Sequence, residues 1–159
     1  MKNKEDKRIS RELLDIGFRD VGSLDEEMVQ GKGLEYYESS EVTQASVFHN
    51  AISGHVGTMT EDFAVRIRVH GNEISTSCTC KDTRQLCKHV IALLYSWVQD
   101  GNDFVNIADK LDMIRKLDKE RLIEVITNII EYDPALAELF LNRKIPQWYE
   151  IDPLDKNSE

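Results

Sequence analysis

The chain has 159 residues, of which 41% are hydrophobic and 31% are charged, and its formal net charge is −9 at pH 7. This length is sufficient for one domain with a buried core, and no apolar run approaches the roughly 20 residues of a membrane-spanning helix. The start, "MKNKEDKRIS", lacks the apolar segment of a secretory signal, so we expect a cytoplasmic protein that does not contact a membrane.

The first predicted elements are helices within residues 10–38. Apolar residues recur at helical spacing on both sides of the stretch Gly17–Ser23, which contains residues that interrupt helices. The pattern predicts one or two short helices that break in this stretch. We assign residues 1–32 to an N-terminal helical segment.

Residues 41–80 are typical of short strands. The runs "VTQASVFHN", "ISGHVGTM" and "DFAVRIRVH" are rich in β-branched residues and are separated by Gly, Asn or acidic turns. In the third run every second residue from Phe63 to Val69 is apolar, whereas Arg66 and Arg68 lie on the opposite face. After the turn "HGNE" the chain returns as "EISTSCTC", so we predict an antiparallel meander of three or four strands.

Beyond Cys87 the apolar residues follow a helical period. The run "HVIALLYSWVQDG" places them on one stripe and ends at Gly101, which suits a helix C-cap. "NIADKLDMIRKLD" and "KERLIEVITNIIEYD" predict two further helices, and Asp133 followed by Pro134 predicts another over "DPALAELFLNRK". We expect these apolar stripes to form core, although one of them could face a partner.

The three cysteines all lie in "CTCKDTRQLCKH", residues 78–89, which ends in a histidine. Cys78 and Cys80 can approach one ion from a single strand end, because side chains two residues apart on a strand point the same way. The residues that follow allow the chain to turn back, and Cys87 and His89 then lie at a loop-to-helix junction. Three sulfurs and one imidazole form the donor set of a closed structural zinc site, so we predict Zn²⁺ as a cofactor.

Two other interpretations of these cysteines fit less well. A disulfide or redox pair is disfavoured by the odd number of cysteines and by the absence of a Cys-x-x-Cys motif. A catalytic cysteine with a histidine base is disfavoured because two adjacent thiols would chelate a metal.

The chain has no P-loop motif, and four protein ligands leave zinc no open position for substrate. We therefore expect no enzyme activity and no small-molecule substrate.

The pattern Cys-x-Cys, a gap and Cys-x-His resembles the SWIM-type zinc finger. Over residues 33–97 the strand-rich lead-in, which includes "GLEYYESSEV" and "ISGHVGT", and the exit helix "LCKHVIALLYSW" are also similar to that family. SWIM modules occur within ATPases and in recombination mediators that partner RecA-like proteins. The resemblance therefore implies a protein partner, such as an ATPase or a RecA-like recombinase, with nucleic acid as a second candidate. It implies these metal ligands: Cys78, Cys80, Cys87 and His89.

These observations predict an α+β fold. Residues 33–101 are assigned to a SWIM-type module, a small antiparallel β-meander with a zinc-clamped strand-to-helix junction. The N-terminal helical segment precedes it, and residues 102–159 follow as a C-terminal acidic helical region that we expect to form a bundle. This last region carries eight basic and thirteen acidic residues from Asp103 onward.

Two functions are open for such a module. The first is a protein–protein adaptor, within a DNA-processing or recombination complex, which suits the net charge of −9. The second is direct, weak nucleic-acid binding, because the stretch from Phe63 to Asp100 carries five basic and three acidic residues. The candidate contacts for nucleic acid are Arg66, Arg68, Lys81, Arg84 and Lys88, with Phe48 or Tyr95 as aromatic contacts.

Overall fold

The computed structural model describes residues 8–137. The predicted α+β class is confirmed, and most of the helix predicted over "DPALAELFLNRK" lies outside the described residues. In chain order the elements are α1 (Arg11–Asp15), α2 (Phe18–Val29), α3 (Lys32–Ser39), β1 (Glu41–Phe48), β2 (Ala51–Gly57), β3 (Asp62–His70), β4 (Glu73–Cys78), α4 (Lys88–Asp100), β5 (Val105–Asn106), α5 (Ile107–Arg115) and α6 (Lys119–Tyr132), with 3₁₀ turns at Gly101–Asp103 and Pro134–Leu136.

The chain divides into two compact units, Met1–Asp112 and Met113–Glu159. The first unit contains α1–α4, the whole sheet and most of α5, and the described part of the second contains α6 and the 3₁₀ turn after it. None of the helices in the described residues has the length and apolar character that crossing a bilayer requires.

The sheet has the strand order β4-β3-β2-β1-β5. Strands β1 to β4 form the predicted antiparallel meander, and on β3 the inward residues Val65, Ile67 and Val69 are buried as their alternation predicts. The two-residue β5 pairs in parallel with β1 at Ser46 and Val47. A strand of two residues is too short to show an alternating pattern, so the sequence did not predict it.

The predicted break in the N-terminal helices is present at Gly17, between the end of α1 at Asp15 and the start of α2 at Phe18. Helix α2 runs through Gly22 and Ser23, and its N-cap is Gly17, whose backbone N–H donates to Asp20 Oδ2 at 2.8 Å. A second break, which the sequence did not predict, follows α2 at Gln30, and this residue adopts a left-handed conformation. A glycine within a helix costs only about 1 kcal/mol, and the burial of the apolar face of α2 outweighs this cost.

Helix α4 forms the centre of the core. Every residue from His89 to Trp97 is buried, so the helix is enclosed on all sides rather than along the single predicted stripe. It packs against β2, β3 and β4 on one side and against α2 and α3 on the other. The indole N–H of Trp97 also donates to the carbonyl of Leu13 at 3.0 Å, which fixes α1 to the core.

A buried carboxylate joins α2, α3 and α4. Asp25 is 2% exposed and accepts hydrogen bonds from the backbone N–H groups of Gly33 at 2.8 Å and Leu34 at 2.9 Å. Its third donor is the Tyr95 hydroxyl at 3.0 Å. These bonds satisfy N–H groups in the first turn of α3 that have no partner within the helix.

Tyr95→Phe is expected to lower stability and to reduce its loss at high pH. Burial, followed by the hydrogen bond to Asp25, raises the pKa of Tyr95 to about 12. Because this pKa lies above the usual value, the stabilisation is complete below about pH 10 and is lost as pH rises toward 12. The variant should lose about 1.5–3 kcal/mol at neutral pH, the typical value of a hydrogen bond to a charged group.

Urea denaturation from pH 7 to 11 measures both effects. Part of the stability loss at high pH should remain in the variant, because burial and Asp100 also raise the pKa of Tyr37 to about 12. Tyr132→Phe is the matched control, because Tyr132 is 93% exposed and should change neither quantity. An unchanged pH dependence in Tyr95→Phe would contradict the role of this hydroxyl.

The second unit has a different apolar pattern from the first. The N-cap of α6 is Asp118, whose side chain accepts from the backbone N–H of Arg121. No residue of α6 is buried among the described residues, and Ile123 and Ile129 are 53% and 45% exposed. The expectation that this stripe forms core is therefore not met within residues 8–137.

Candidate metal centre

The four candidate ligands come together where β4 ends and α4 begins. Cys78 is the last residue of β4, and Cys80 lies in the bend after it. Cys87 is the N-cap of α4, and His89 is the second residue of that helix. One donor atom from each of the four residues lies within 4.8 Å of the others, so the cluster could hold a metal ion.

The distances to the imidazole identify which ring nitrogen faces the sulfurs. His89 Nδ1 lies 3.7 Å from Cys78 Sγ and 3.8 Å from Cys87 Sγ. Around a tetrahedral zinc ion, with bonds of roughly 2.3 Å to sulfur and 2.0–2.1 Å to nitrogen, the N···S separation is about 3.6 Å. These two separations match zinc with Nδ1 as the ligating atom, and the other donor atoms lie within 4.8 Å.

The loop between the two ligand pairs is fixed to the strand that precedes it. Gln85 forms hydrogen bonds with Thr76 and with the carbonyl of Ile74, both on β4. Asp82 accepts from the backbone N–H of Arg84 at 3.0 Å, which closes a turn, and Leu86 is buried. These contacts bring the start of α4 back to the end of β4.

This segment also matches a known family. Residues 65–97 match the family model of the SWIM zinc finger. The match runs from β3 into α4, contains all four candidate ligands and confirms the resemblance over this segment. It does not include the lead-in over residues 33–64, where the sequence also suggested the family. No curated protein and no solved structure matches the chain.

Burial shifts the pKa values of three candidate metal ligands. Burial raises the pKa of the Cys78 thiol to about 12 and also raises that of Cys87, for which the backbone N–H groups of His89 and Val90 act in the opposite direction. Burial lowers the pKa of His89 and so favours the neutral imidazole that binds metals. The protein alone thus favours neutral thiols, and a bound cation would favour the thiolates that coordinate it.

Two aromatic rings enclose the SWIM histidine. Phe63 stacks on the His89 ring with centroids 4.1 Å apart, and Tyr36 contacts it edge-on at 4.7 Å. His89 Nε2 is buried and has no hydrogen-bond partner among the described residues. A metal-ligating histidine usually donates its other N–H to an acceptor that orients the ring. We expect the two rings to orient His89 by packing instead.

Phe63→Leu is therefore expected to weaken metal binding at a position that is not itself a ligand. Loss of a group that orients a ligand typically reduces metal affinity 10- to 100-fold, and we expect about 10-fold here because Tyr36 remains. Zinc affinity can be measured by competition with a chromogenic chelator. Phe63→Tyr should retain the stacking and the affinity.

Phe48→Leu is the matched control for this experiment. Phe48 is partly buried on β1 and makes a tilted ring contact with His49 rather than with a candidate ligand. The control should bind zinc as tightly as the wild type. Equal zinc affinity of Phe63→Leu and the wild type would show that the packing does not orient His89.

The candidate nucleic-acid contacts are distributed over different surfaces. Arg66 and Arg68 lie on the face of β3 opposite the buried residues, whereas Lys88 lies on α4, with its Nζ 4.4 Å from the centroid of Tyr36. Lys81 is exposed in the loop. Tyr95 is 2% exposed, so the prediction that it offers an aromatic contact is wrong: it belongs to the core.

Arg84 has two partners within the protein. It forms an ion pair with Asp82, whose pKa the hydrogen bonds from Arg84 lower to about 2, and it donates to the carbonyl of Met28 at 3.2 Å. Its charge is thus balanced locally, and it links the loop to α2.

Proposed function

We propose that the chain is a zinc-binding interaction module in which the metal is structural and not catalytic. The observation that carries this proposal is the convergence of three sulfurs and one imidazole from two elements at one point. With four protein ligands, tetrahedral zinc has no open position for a substrate or an activated water. The metal would supply the bonds that join the end of β4 to the start of α4.

The role in binding a partner is supported by the SWIM match and by the charge of the chain. The net charge of −9 favours a protein partner over a polyanion. Such a partner could be an ATPase or a RecA-like recombinase in a DNA-processing complex, which is the setting that the family resemblance implies.

Metal content and partner capture test the proposal. Elemental analysis of the native protein should give one zinc ion per chain. A tagged chain should capture a defined protein at physiological salt, whereas Cys80→Ser should capture none. A native protein that is folded without metal, or one that stays monomeric without a partner, would refute the proposal.

One observation favours nucleic acid as a second candidate. Arg66 pairs in register with Ser53 and Ser77, and Arg68 pairs with Ser75, so the outer face of β3 combines guanidinium and hydroxyl groups that suit phosphate. Gel-shift titration at low salt with wild type and Arg66→Ala/Arg68→Ala tests this candidate. No shift, or an identical shift for both proteins, would eliminate it.

A further inference from the structure

A groove lies beside β1, away from the metal centre. Its volume is about 540 Å³, and it is lined by residues of α3, β1, the end of α4 and the turn that leads into β5. The groove contains no candidate metal ligand and is not used by the proposed function.

Part of the β1 edge is open along this groove. β5 pairs with β1 only at Ser46 and Val47, and residues 41–45 have no strand partner on that side within the described part of the chain. The β1 register is irregular between Thr43 and Ser46, and Gln44 in this bulge has a φ of 51°. The bulge separates the covered part of the edge from residues 41–43, whose outward N–H and C=O groups can pair with an added strand, whereas the bulge itself interrupts pairing.

The charge of the groove is one-sided. Its lining includes Glu38, Asp100 and Asp103 and contains no lysine, arginine or histidine. The Tyr37 hydroxyl donates to Asp100 Oδ2 at 2.7 Å and holds that carboxylate at the groove. Within residues 8–137 neither Glu38 nor Asp103 has an ion-pair partner. A positively charged group would complement these carboxylates.

The apolar part of the lining suits the stem of a basic side chain. Val42 and Phe104 line the groove, and Val105, which is 44% exposed, completes this wall. Lysine and arginine bury their methylene stems on such surfaces while their charged ends stay among polar groups. An apolar wall next to carboxylates therefore matches the two parts of these side chains.

We propose that this groove binds an extended segment of a partner protein that carries lysine or arginine. The segment adds as a strand beside residues 41–43 of β1, and its basic side chains lie between the apolar wall and the carboxylates. This inference rests on the proposed function as an interaction module and names the chemistry of its partner. A nucleic acid does not fit here, because its phosphates would meet three carboxylates.

The test uses the zinc-loaded full-length chain and short labelled peptides in which valine alternates with lysine. The probe should bind by fluorescence anisotropy, and a version with glutamate in place of lysine should bind at least tenfold more weakly. A third peptide with methylated backbone nitrogens keeps the charge and cannot pair as a strand, so it should also lose binding. Amide NMR shifts should change mainly at residues 37–45.

Variants of the groove separate specific binding from general charge attraction. Glu38→Gln/Asp103→Asn should weaken binding of the lysine peptide about tenfold, since each exposed pair contributes up to about 1 kcal/mol. Glu27→Gln/Glu73→Gln, which removes two exposed acids elsewhere, is the matched control and should bind normally.

Equal binding of the three peptides, or NMR shifts located elsewhere, would overturn the proposal. The same result for the groove variant and its control would also overturn it. Zinc content and partner capture measured on the same variants show which idea has failed. If Glu38→Gln/Asp103→Asn keeps both its zinc and its captured partner, the groove proposal alone fails. A native chain without zinc refutes the proposed function.

Discussion

Cys87→Ser is expected to abolish metal binding and to unfold at least the junction between β4 and α4. Structural zinc sites contribute an apparent ~10–16 kcal/mol, which exceeds the roughly 5–15 kcal/mol net stability of a typical domain. Cys87 is 1% exposed and lies at the N-cap position of α4, so loss of a metal bond there affects the helix that forms the centre of the core. A serine hydroxyl cannot replace a thiolate as a zinc ligand in this set.

Elemental analysis and thermal melting with and without a chelator measure this effect. The chelator should destabilise the wild type about as much as Cys87→Ser and should not affect the variant further. Ser77→Ala, an exposed change next to Cys78, is the control and should keep both metal and melting temperature. A Cys87→Ser protein with wild-type melting and metal content would contradict a structural role of the metal.

Gly33→Ala is expected to destabilise the first unit by about 3 kcal/mol or more. A Cβ at this position would lie 2.2 Å from Ile91 Cγ2 and 2.8 Å from Asp25 Oδ1. Overpacking of a core costs about 1–3 kcal/mol, and displacement of a buried hydrogen-bonded carboxylate adds about 1–3 kcal/mol or more. The clash cannot relax easily, because Ile91 is fully buried.

Gly22→Ala is the matched control for this prediction. Gly22 lies inside α2, and an added Cβ would meet only the Tyr95 hydroxyl, at 3.8 Å. The control should be more stable than the wild type by about 0.5–1 kcal/mol, because alanine favours helix. Chemical denaturation of both variants measures their free energies of unfolding. Two variants of equal stability would show that α3 and α4 can move apart at low cost.

The ligand set and the meander were accessible from the sequence because both depend on local spacing. Cys78 and Cys80 share a strand end, and Cys87 and His89 share a helix start, so short-range geometry brings each pair together. The alternation on β3 likewise placed Arg66 and Arg68 outside. The helix break at Gly17 was predicted and the one at Gln30 was not, while α2 continues through Gly22 because its burial overrides the weak preference of this residue.

The role of Asp25 could not be predicted in this way. The sequence places it in the acidic run "DEE", which is typical of an exposed turn. Its three donors come from α3 and α4, and Tyr95 lies 70 residues away along the chain. A carboxylate can be buried only when such donors converge on it, and no local pattern reports that convergence.

By itself the sequence determined which residues could bind a metal and which residues of β3 face the core, because these features depend on spacings of two residues at a strand end, at a helix start or along a strand. Only the tertiary structure decided that Phe63 and Tyr36 pack against His89 and that three carboxylates line a groove beside an open strand edge. These sites are built from elements distant in sequence, and packing alone brings their side chains together. The burial of α4 between the sheet and the helices brings these side chains together, and no short stretch of the chain encodes it.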